Sequence, residues 1–142
     1  MRTEITHTVN VVERQRGYFG GAAHTAVVTK YIIRVLLTSS ESTEPLEWQV
    51  ARRYSHFRSN HIALSSMFSH LPKLPPKRLS VQASMERLGS SSSMLPPDPE
   101  LVASRMVQLD AYLKLLLATP TVGDCTQMRY VCITSHPIAA CS

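Results

Sequence analysis

Polar and apolar residues alternate along the first third of the chain, which is the pattern of strands that bury one face. Three such segments follow one another, at residues 5–13, 25–38 and 44–54. In the third segment Leu46, Trp48 and Val50 share one face, and the other face is polar. Stretches rich in glycine and serine separate the segments and predict turns. The pattern therefore predicts three strands joined by short connections into an antiparallel meander.

Helical spacing of apolar residues replaces this alternation after the third strand. A first helix is predicted from Ser55, as its N-cap, to Leu71. A second helix is predicted to begin at Asp98, a favourable N-cap, with Pro99 in the first helical position. Its apolar stripe consists of Val102, Met106, Leu109, Leu113 and Leu116. A short closing helix is predicted around Met128.

These elements predict an α+β fold in which a three-stranded antiparallel β-sheet packs against a helical subdomain. With 142 residues and an apolar content of 44%, the chain has the size and composition of one globular domain. We expect a single domain over residues 1–142, with its core at about 5–135. The low-complexity sequence GSSSSMLPP predicts a flexible loop at about 79–97, and residues 136–142 are expected to form a tail.

Charge and cysteine content narrow the functional classes. The formal net charge of +5 favours anionic partners without choosing among nucleic acid, membrane surface and acidic protein. The three cysteines lack C-x-x-C spacing, which argues against a disulfide framework or a zinc site. No run approaches the roughly 18 apolar residues of a membrane-spanning helix, and MRTEITHTVN lacks the apolar segment of a signal peptide. We therefore expect a cytoplasmic protein with no metal or cofactor.

Basic residues are concentrated between Trp48 and Met85, where no Asp or Glu occurs. This window contains Arg52, Arg53, Arg58, Lys73, Lys77 and Arg78. An arginine presents a planar fork of donors that matches phosphate oxygens, and the ring of Tyr54 offers a flat apolar face beside it. Taken alone, adjacent arginines are more often solvated surface than a binding site. Arg105 is equally compatible with pairing to an acid of its own helix.

Three motifs occur in order along the chain: WQVARRYSHF, LPKLPPKRL and SRMVQLDAYLKLLLATP. Together they make the sequence similar to the PX (phox homology) domain, a phosphoinositide-binding module. The family pattern is a strand ending in Arg-Tyr-Ser with a following Phe, a Pro-x-x-Pro-Pro-Lys loop, and a helix of the form Arg-x-x-x-Leu-x-x-Tyr/Phe-Leu. The resemblance spans about residues 5–135 and implies the same sheet-and-helix fold that the periodicity predicts.

The resemblance implies that four residues bind the inositol headgroup. Arg53 would grip the 3-phosphate, and the ring of Tyr54 would pack against the inositol. Lys77 would contact the 1-phosphate, which joins the headgroup to the lipid. Arg105 would hydrogen-bond to the ring hydroxyls at positions 4 and 5, which favours phosphatidylinositol 3-phosphate over more phosphorylated lipids.

The resemblance also implies supporting basic residues and a membrane-contacting loop. Arg52 and Arg78 are the supporting residues, although Arg52 is one position out of phase with Arg53 on the strand and is expected to face elsewhere. The residues expected to insert into the bilayer are Leu79, Val81, Met85 and Leu88. A short helix packed on the domain itself is the alternative structure for this segment. The implied function is peripheral binding to endosomal or other membranes that contain phosphatidylinositol 3-phosphate, in trafficking or sorting.

Two positions depart from the family pattern. His56 occupies a position that is often acidic in the family, and Asn60 occupies one that is usually apolar. Both departures are expected to alter local packing without removing a contact to the ligand.

A protein-interaction module with weak or no lipid specificity is the main alternative function. Pro72–Pro76 together with Lys77 has the Pro-x-x-Pro-x-Lys form that SH3 domains bind. A nucleic-acid partner is not expected, because it would rest on charge alone without interleaved aromatic residues. An enzyme is not expected either, because no Gly-rich phosphate loop, H-E-x-x-H or G-x-S-x-G pattern occurs.

Overall fold

The structure is a computed structural model and describes residues 1–15, 24–77 and 98–133. The strands and helices follow in this order: β1 (Arg2–Gln15), β2 (His24–Leu37), β3 (Leu46–Arg53), α1 (Tyr54–Ser65), α2 (Pro99–Ala118), α3 (Pro120–Gly123) and α4 (Thr126–Ile133). The three strands form one antiparallel sheet, and the helices follow them in the chain. The predicted α+β class is confirmed.

The sheet has the order β1-β2-β3, with both neighbouring pairs antiparallel. At its centre Ile33 lies opposite Ile5 on one side and Val50 on the other, and all three side chains are buried. A register shift between Ile5 and His7 marks a bulge in β1. The backbone N–H of Ile5 donates to Oδ1 of Asp110 at 2.8 Å. The bulge is therefore also the place where β1 is fastened to α2.

The helices share one hydrophobic core with the sheet. Large side chains from β2, β3, α1, α2 and α4 are at most 2% exposed, namely Tyr31, Ile33, Val35, Val50, Phe57, Leu64, Leu109, Leu113, Leu116, Met128 and Val131. Tyr31 meets Phe57 edge to face, with ring centroids 6.1 Å apart and ring planes at 87°. This geometry is the favoured one for an aromatic pair. It anchors the first turn of α1 on the middle strand.

The core face of β3 holds the end of α4 through two hydrogen bonds. Nε1 of Trp48 donates to the carbonyl of Cys132 at 2.7 Å, and Nε of Arg52 donates to the carbonyl of Val131 at 3.0 Å. The last carbonyls of a helix have no partner within the helix, so side-chain donors here satisfy otherwise orphaned groups. Arg52 is only 6% exposed. It is therefore part of the core and faces away from Arg53, and only this difference in facing was expected from its phase on the strand.

The predicted bounds of α1 were wrong at both ends. The N-cap is Arg53 rather than Ser55, because β3 runs into the helix with no intervening residue. The helix ends at Ser65 rather than Leu71. The hydroxyl of Ser65 donates to the carbonyl of Ile62 at 2.8 Å, three residues back. Such local bonds from serine compete with the helical ladder and favour a helix end.

The prediction for α2 is confirmed. Oδ1 of Asp98 accepts a hydrogen bond from the backbone N–H of Glu100 at 3.0 Å, with proline at the start of the helix. The helix ends at Ala118, and α3 begins at Pro120. Within the predicted stripe the three leucines are fully buried and the two N-terminal members are half-buried. The closing helix predicted around Met128 is α4.

Two predicted segments lie outside the described residues, namely the loop at 79–97 and the tail at 136–142. Among the helices that the structure describes, none has the length and apolar character needed to cross a bilayer. Within the same ranges no group of three or more His, Cys, Asp or Glu side chains is placed to hold a metal ion.

Candidate functional site

The candidate site is built around the junction between β3 and α1. Arg53 ends the strand with extended backbone angles, φ −87° and ψ 163°, and Tyr54 is already the first residue of the helix. Alternation along the strand directs Arg52 into the core and Arg53 to the opposite face. In the register of the sheet Lys30 lies directly opposite Arg53. Two cations from neighbouring strands therefore meet beside the start of a helix.

An acid from β1 joins these two cations. Oε1 of Glu13 lies 2.6 Å from Nζ of Lys30, and Oε2 lies 3.5 Å from Nη1 of Arg53. The hydrogen bond from Lys30 and the nearby positive charges hold the pKa of Glu13 below its usual range, against the opposing effect of burial. The carboxylate is thus ionised and bound between Lys30 and Arg53.

His56 completes this group of residues. Its Nδ1 accepts a hydrogen bond from the backbone N–H of Arg53 at 3.2 Å. Desolvation, followed by the charges of Arg52, Arg53 and Lys30, lowers the pKa of His56. The neutral ring therefore caps the start of the helix. We call Glu13, Lys30, Arg53 and His56 the Arg53 cluster.

On the other side of the junction, Arg105 of α2 lies over the ring of Tyr54. The guanidinium carbon is 5.0 Å from the ring centroid, a cation–π distance. Nη2 of Arg105 donates to the backbone carbonyl of Lys77. The hydroxyl of Tyr54 donates to the carbonyl of Pro75 at 2.5 Å. Two side chains thus hold the proline-rich loop by its backbone, and we call Tyr54, Pro75, Lys77 and Arg105 the Tyr54 cluster.

The inner side of the Tyr54 cluster is buried. Burial raises the pKa of the Tyr31 hydroxyl, and the positive charge of Arg105 and a side-chain hydrogen bond with Arg105 oppose this rise. Nε of Arg105 is itself buried and has no hydrogen-bond partner among the described residues. A buried donor without an acceptor is unfavourable, by about 1–3 kcal/mol.

The structure thus brings together three of the four residues predicted to bind the headgroup. Tyr54, Lys77 and Arg105 are linked by the contacts of the Tyr54 cluster. Arg53 is joined to them through the peptide bond to Tyr54, while its guanidinium is directed to Glu13. The side chain of Lys77 is exposed.

The remaining predicted residues divide into two sets. Arg52 supports α4 from inside the core and does not line the surface on which Arg53 lies. Its expected role as a supporting basic residue stays a prediction, and its positive charge contributes to the lowered pKa of His56. Outside the described residues lie Arg78, Leu79, Val81, Met85 and Leu88.

Sequence reasoning missed Glu13 and Lys30. The window around Arg53 contains no acid in sequence, so the site was expected to be purely cationic. The fold supplies an acid from β1, which only the strand register could have revealed. Lys30 could have been found, because a residue opposite the end of β3 follows once the two strands are aligned.

A cavity of about 470 Å³ lies beside the proline-rich loop but is separate from both clusters. It is lined by His61, Ser65, Phe68, Ser69, Leu71, Pro72, Lys73 and Leu74. None of the four predicted headgroup residues belongs to this lining.

Comparison with known families decides what the junction and its two clusters belong to. The sequence model of the PX domain matches residues 41–130, which include β3, α1, the proline-rich loop and α2. The chain belongs to the PX domain family. PX domains are phosphoinositide-binding, membrane-targeting modules and are generally not enzymes. No curated protein sequence matches the chain.

Solved PX structures share the fold. A designed CISK-PX domain is similar with a TM-score of 0.64 and 21% identity, over 94% of this chain and 100% of that one. The mouse SNX19 PX domain with a bound sulphate ion has a TM-score of 0.56 and 19% identity, over 91% of this chain and 92% of that one. A second structure of the mouse SNX19 PX domain gives 0.56 and 20%, with 91% of each chain covered. These similarities extend over nearly the whole length and confirm the PX fold.

Proposed function

We propose that this PX domain binds phosphatidylinositol 3-phosphate and brings its parent protein to endosomal membranes, for trafficking or sorting. The observation that supports the proposal is the junction between β3 and α1, where Arg53 ends the strand and Tyr54 begins the helix. Arg105 stacks on that ring and contacts the backbone of Lys77. Tyr54, Lys77 and Arg105 thus adjoin one another, and Arg53 precedes Tyr54 directly in the chain.

In this proposal Arg53 binds the 3-phosphate. A guanidinium binds a phosphate through two parallel charge-assisted hydrogen bonds, which are stronger than neutral ones. The side chain of Arg53 is 34% exposed, so a ligand can approach it from solvent. The similar mouse SNX19 PX domain was crystallised with a sulphate ion, a tetrahedral anion like phosphate.

The inositol ring packs on Tyr54, and Arg105 recognises the hydroxyls at positions 4 and 5. The unpaired Nε–H of Arg105 is a donor suited to a hydroxyl oxygen. Because Arg105 also holds the carbonyl of Lys77, the loop and the recognition of the ring are coupled. Lys77, exposed at the end of the loop, binds the 1-phosphate as a point charge.

The decisive test is the change Arg53→Ala. We expect this variant to lose sedimentation with liposomes containing phosphatidylinositol 3-phosphate while keeping its circular dichroism spectrum and melting temperature. The matched control is Arg34→Ala on β2, which removes another strand cation paired with an acid. The assay runs across all phosphoinositides. If Arg53→Ala binds as well as the parent protein, or if the parent shows no preference for the 3-phosphate, the proposal is wrong.

Insertion of the loop into the bilayer is proposed from the sequence resemblance alone. Burying a large apolar side chain contributes on the order of 1.5–3 kcal/mol. Replacing Leu79 and Val81 by Asp is therefore expected to weaken liposome binding and to leave binding of a soluble headgroup nearly unchanged. Equal losses in both assays would show that the loop has a structural role instead.

The alternative SH3-binding function is less well supported by the contacts of the loop. Pro75 is buried, and its carbonyl accepts the hydrogen bond from Tyr54. An SH3 ligand presents its prolines to aromatic grooves on the partner, so Pro75 would first have to leave the domain. A pulldown with SH3 domains, using Pro72→Ala as the comparison variant, separates this function from lipid binding.

A further inference from the structure

The Arg53 cluster already contains an anion bound where the proposed function places a phosphate. Both carboxylate oxygens of Glu13 are engaged. Oε1 lies 2.6 Å from Nζ of Lys30, and Oε2 lies 3.5 Å from Nη1 of Arg53. The three residues come from three different strands. An oxygen anion at this position is therefore within reach of two cations, not one.

The three side chains are partly open to solvent. The exposed fractions are 27% for Lys30, 30% for Glu13 and 34% for Arg53. Ion pairs of this exposure are weak, because water and salt screen them. An arriving phosphate monoester carries more than one negative charge and offers three acceptor oxygens, whereas the carboxylate has one charge and two. The phosphate can consequently displace the carboxylate.

We propose that Lys30 is a further phosphate-binding residue of this domain, and that Glu13 is an internal competitor whose carboxylate leaves Arg53 when a phosphate monoester binds. The inference rests on the proposed function, in which Arg53 binds the 3-phosphate. Lys30 is opposite Arg53 in the sheet, so both side chains project from the same face. The ligand is the phosphate monoester of a lipid headgroup.

In this arrangement Glu13 lowers the affinity of the domain for the phosphate. The ion pair between Arg53 and Glu13 has to break before Arg53 can bind the ligand. Exposed ion pairs contribute about 0.2–1 kcal/mol, so removing the competitor is expected to tighten binding by about 1.4- to fivefold. Removing Lys30 is expected to weaken binding for two reasons. It deletes a phosphate contact, and it leaves Glu13 free to pair with Arg53 alone.

The experiment compares the parent with Glu13→Gln, Lys30→Gln and the double variant, on vesicles containing phosphatidylinositol 3-phosphate. Glu47→Gln is the matched control, because it makes the same charge change and breaks a strand ion pair with Arg34 at the opposite end of β3. Vesicles containing phosphatidylserine without phosphoinositide measure general attraction to charge. Inorganic phosphate, titrated without vesicles, measures binding of a free anion.

The expected result is tighter binding by Glu13→Gln than by Glu47→Gln, confined to phosphoinositide vesicles, and weaker binding by Lys30→Gln in both backgrounds. The inference is overturned, with the proposed function intact, if Glu13→Gln and Glu47→Gln bind alike or if both vesicle types gain equally. A gain for inorganic phosphate alone also overturns it, because the cations would then serve a free anion. If neither the parent nor Glu13→Gln prefers phosphoinositide vesicles, the proposed function and this inference both fail.

Discussion

The guanidinium of Arg105 lies 5.0 Å from the centre of the Tyr54 ring and simultaneously donates to the backbone of the proline-rich loop. One side chain of α2 therefore connects the start of α1 to the loop that carries Lys77. Both contacts are made within the domain itself, so they hold α1, α2 and the loop in place relative to one another. Preorganisation of this kind reduces the entropic penalty of binding.

Replacing Arg105 by Lys is expected to reduce affinity for a soluble inositol 1,3-bisphosphate headgroup by about 10- to 150-fold, because a charge-assisted hydrogen bond contributes about 1.5–3 kcal/mol. The positive charge is kept, but the planar fork that spans the ring and the loop is lost. Isothermal titration calorimetry measures the change. The control is Arg129→Lys on the exposed side of α4, which should leave affinity unchanged. Equal affinity of Arg105→Lys and the parent would contradict the role given to the guanidinium.

Tyr54→Phe and Tyr54→Leu separate the two functions of that side chain. The Phe variant loses the hydrogen bond to Pro75 and keeps the ring, so we expect a stability loss of about 0.5–1.5 kcal/mol with headgroup binding largely retained. The Leu variant loses the flat face as well and is expected to lose headgroup binding. Chemical denaturation and calorimetry on the same samples test both statements. Identical headgroup affinity for the two variants would rule out a stacking role.

Arg52 and Arg53 are neighbours in sequence with opposite expected effects. Arg52→Met leaves the carbonyl of Val131 without its donor and is expected to destabilise the fold by about 1.5–3 kcal/mol. At a temperature where Arg52→Met is folded, its selectivity among lipids should equal that of the parent. Arg53→Met, in contrast, is expected to keep its stability within about 0.5 kcal/mol, as for a surface substitution, and to lose lipid binding. Urea denaturation and liposome sedimentation of both variants provide the comparison. If Arg53→Met loses stability and Arg52→Met loses lipid binding instead, the assignment of Arg52 to the core and Arg53 to the binding face is wrong.

The stability of the domain is expected to decrease on acidification because of His56. Its pKa is lowered in the folded state, so the fold favours the neutral ring. Stability from this residue is complete above the unfolded pKa of 6.5 and is lost progressively as the pH falls below it. His56→Gln keeps an acceptor for the backbone N–H of Arg53 without titrating.

Melting temperatures at pH 7.5 and 5.5 test this effect of His56. The parent should lose more stability than His56→Gln between these pH values. Glu13 does not contribute within this window, since its lowered pKa delays its protonation to below the usual 4.5. An equal loss in parent and variant would show that the cap does not depend on the protonation of His56.

Much of the fold was accessible from the sequence because periodicity and capping agree with the final packing. Asp98 followed by Pro99 fixed the start of α2, and the leucine stripe indicated its buried face. The alternation of β3 also indicated that Arg52 and Arg53 face opposite ways. In these cases the local signal and the tertiary environment favour the same structure.

The start of α1 could not be predicted because its N-cap residue is Arg53, and arginine is not among the residue types that usually cap helices. Ser55 is a good N-cap residue in isolation, yet tertiary contacts continue β3 to Arg53 and begin the helix at Tyr54. The edge-to-face contact between Phe57 and Tyr31 fixes the first turn. Packing of this kind overrides local propensity.

The acid in the candidate site was beyond sequence reasoning for a different reason. Glu13 belongs to a strand whose register is shifted by a bulge, and the bulge has no sequence signal of its own. The acid-free window from Trp48 to Met85 described the residues near Arg53 in the chain but not those near it in space. Electrostatics of a site built from a sheet depends on register, which alternation alone leaves open.

The absence of a loop between β3 and α1 has a consequence for how this domain tolerates insertions. One additional residue after Arg53 would rotate every later helical side chain by about 100° about the axis of α1. Tyr54 would swing away from Arg105, and Phe57 would leave its place against Tyr31. An insertion at this point of the chain is therefore expected to disrupt the candidate site and the core together.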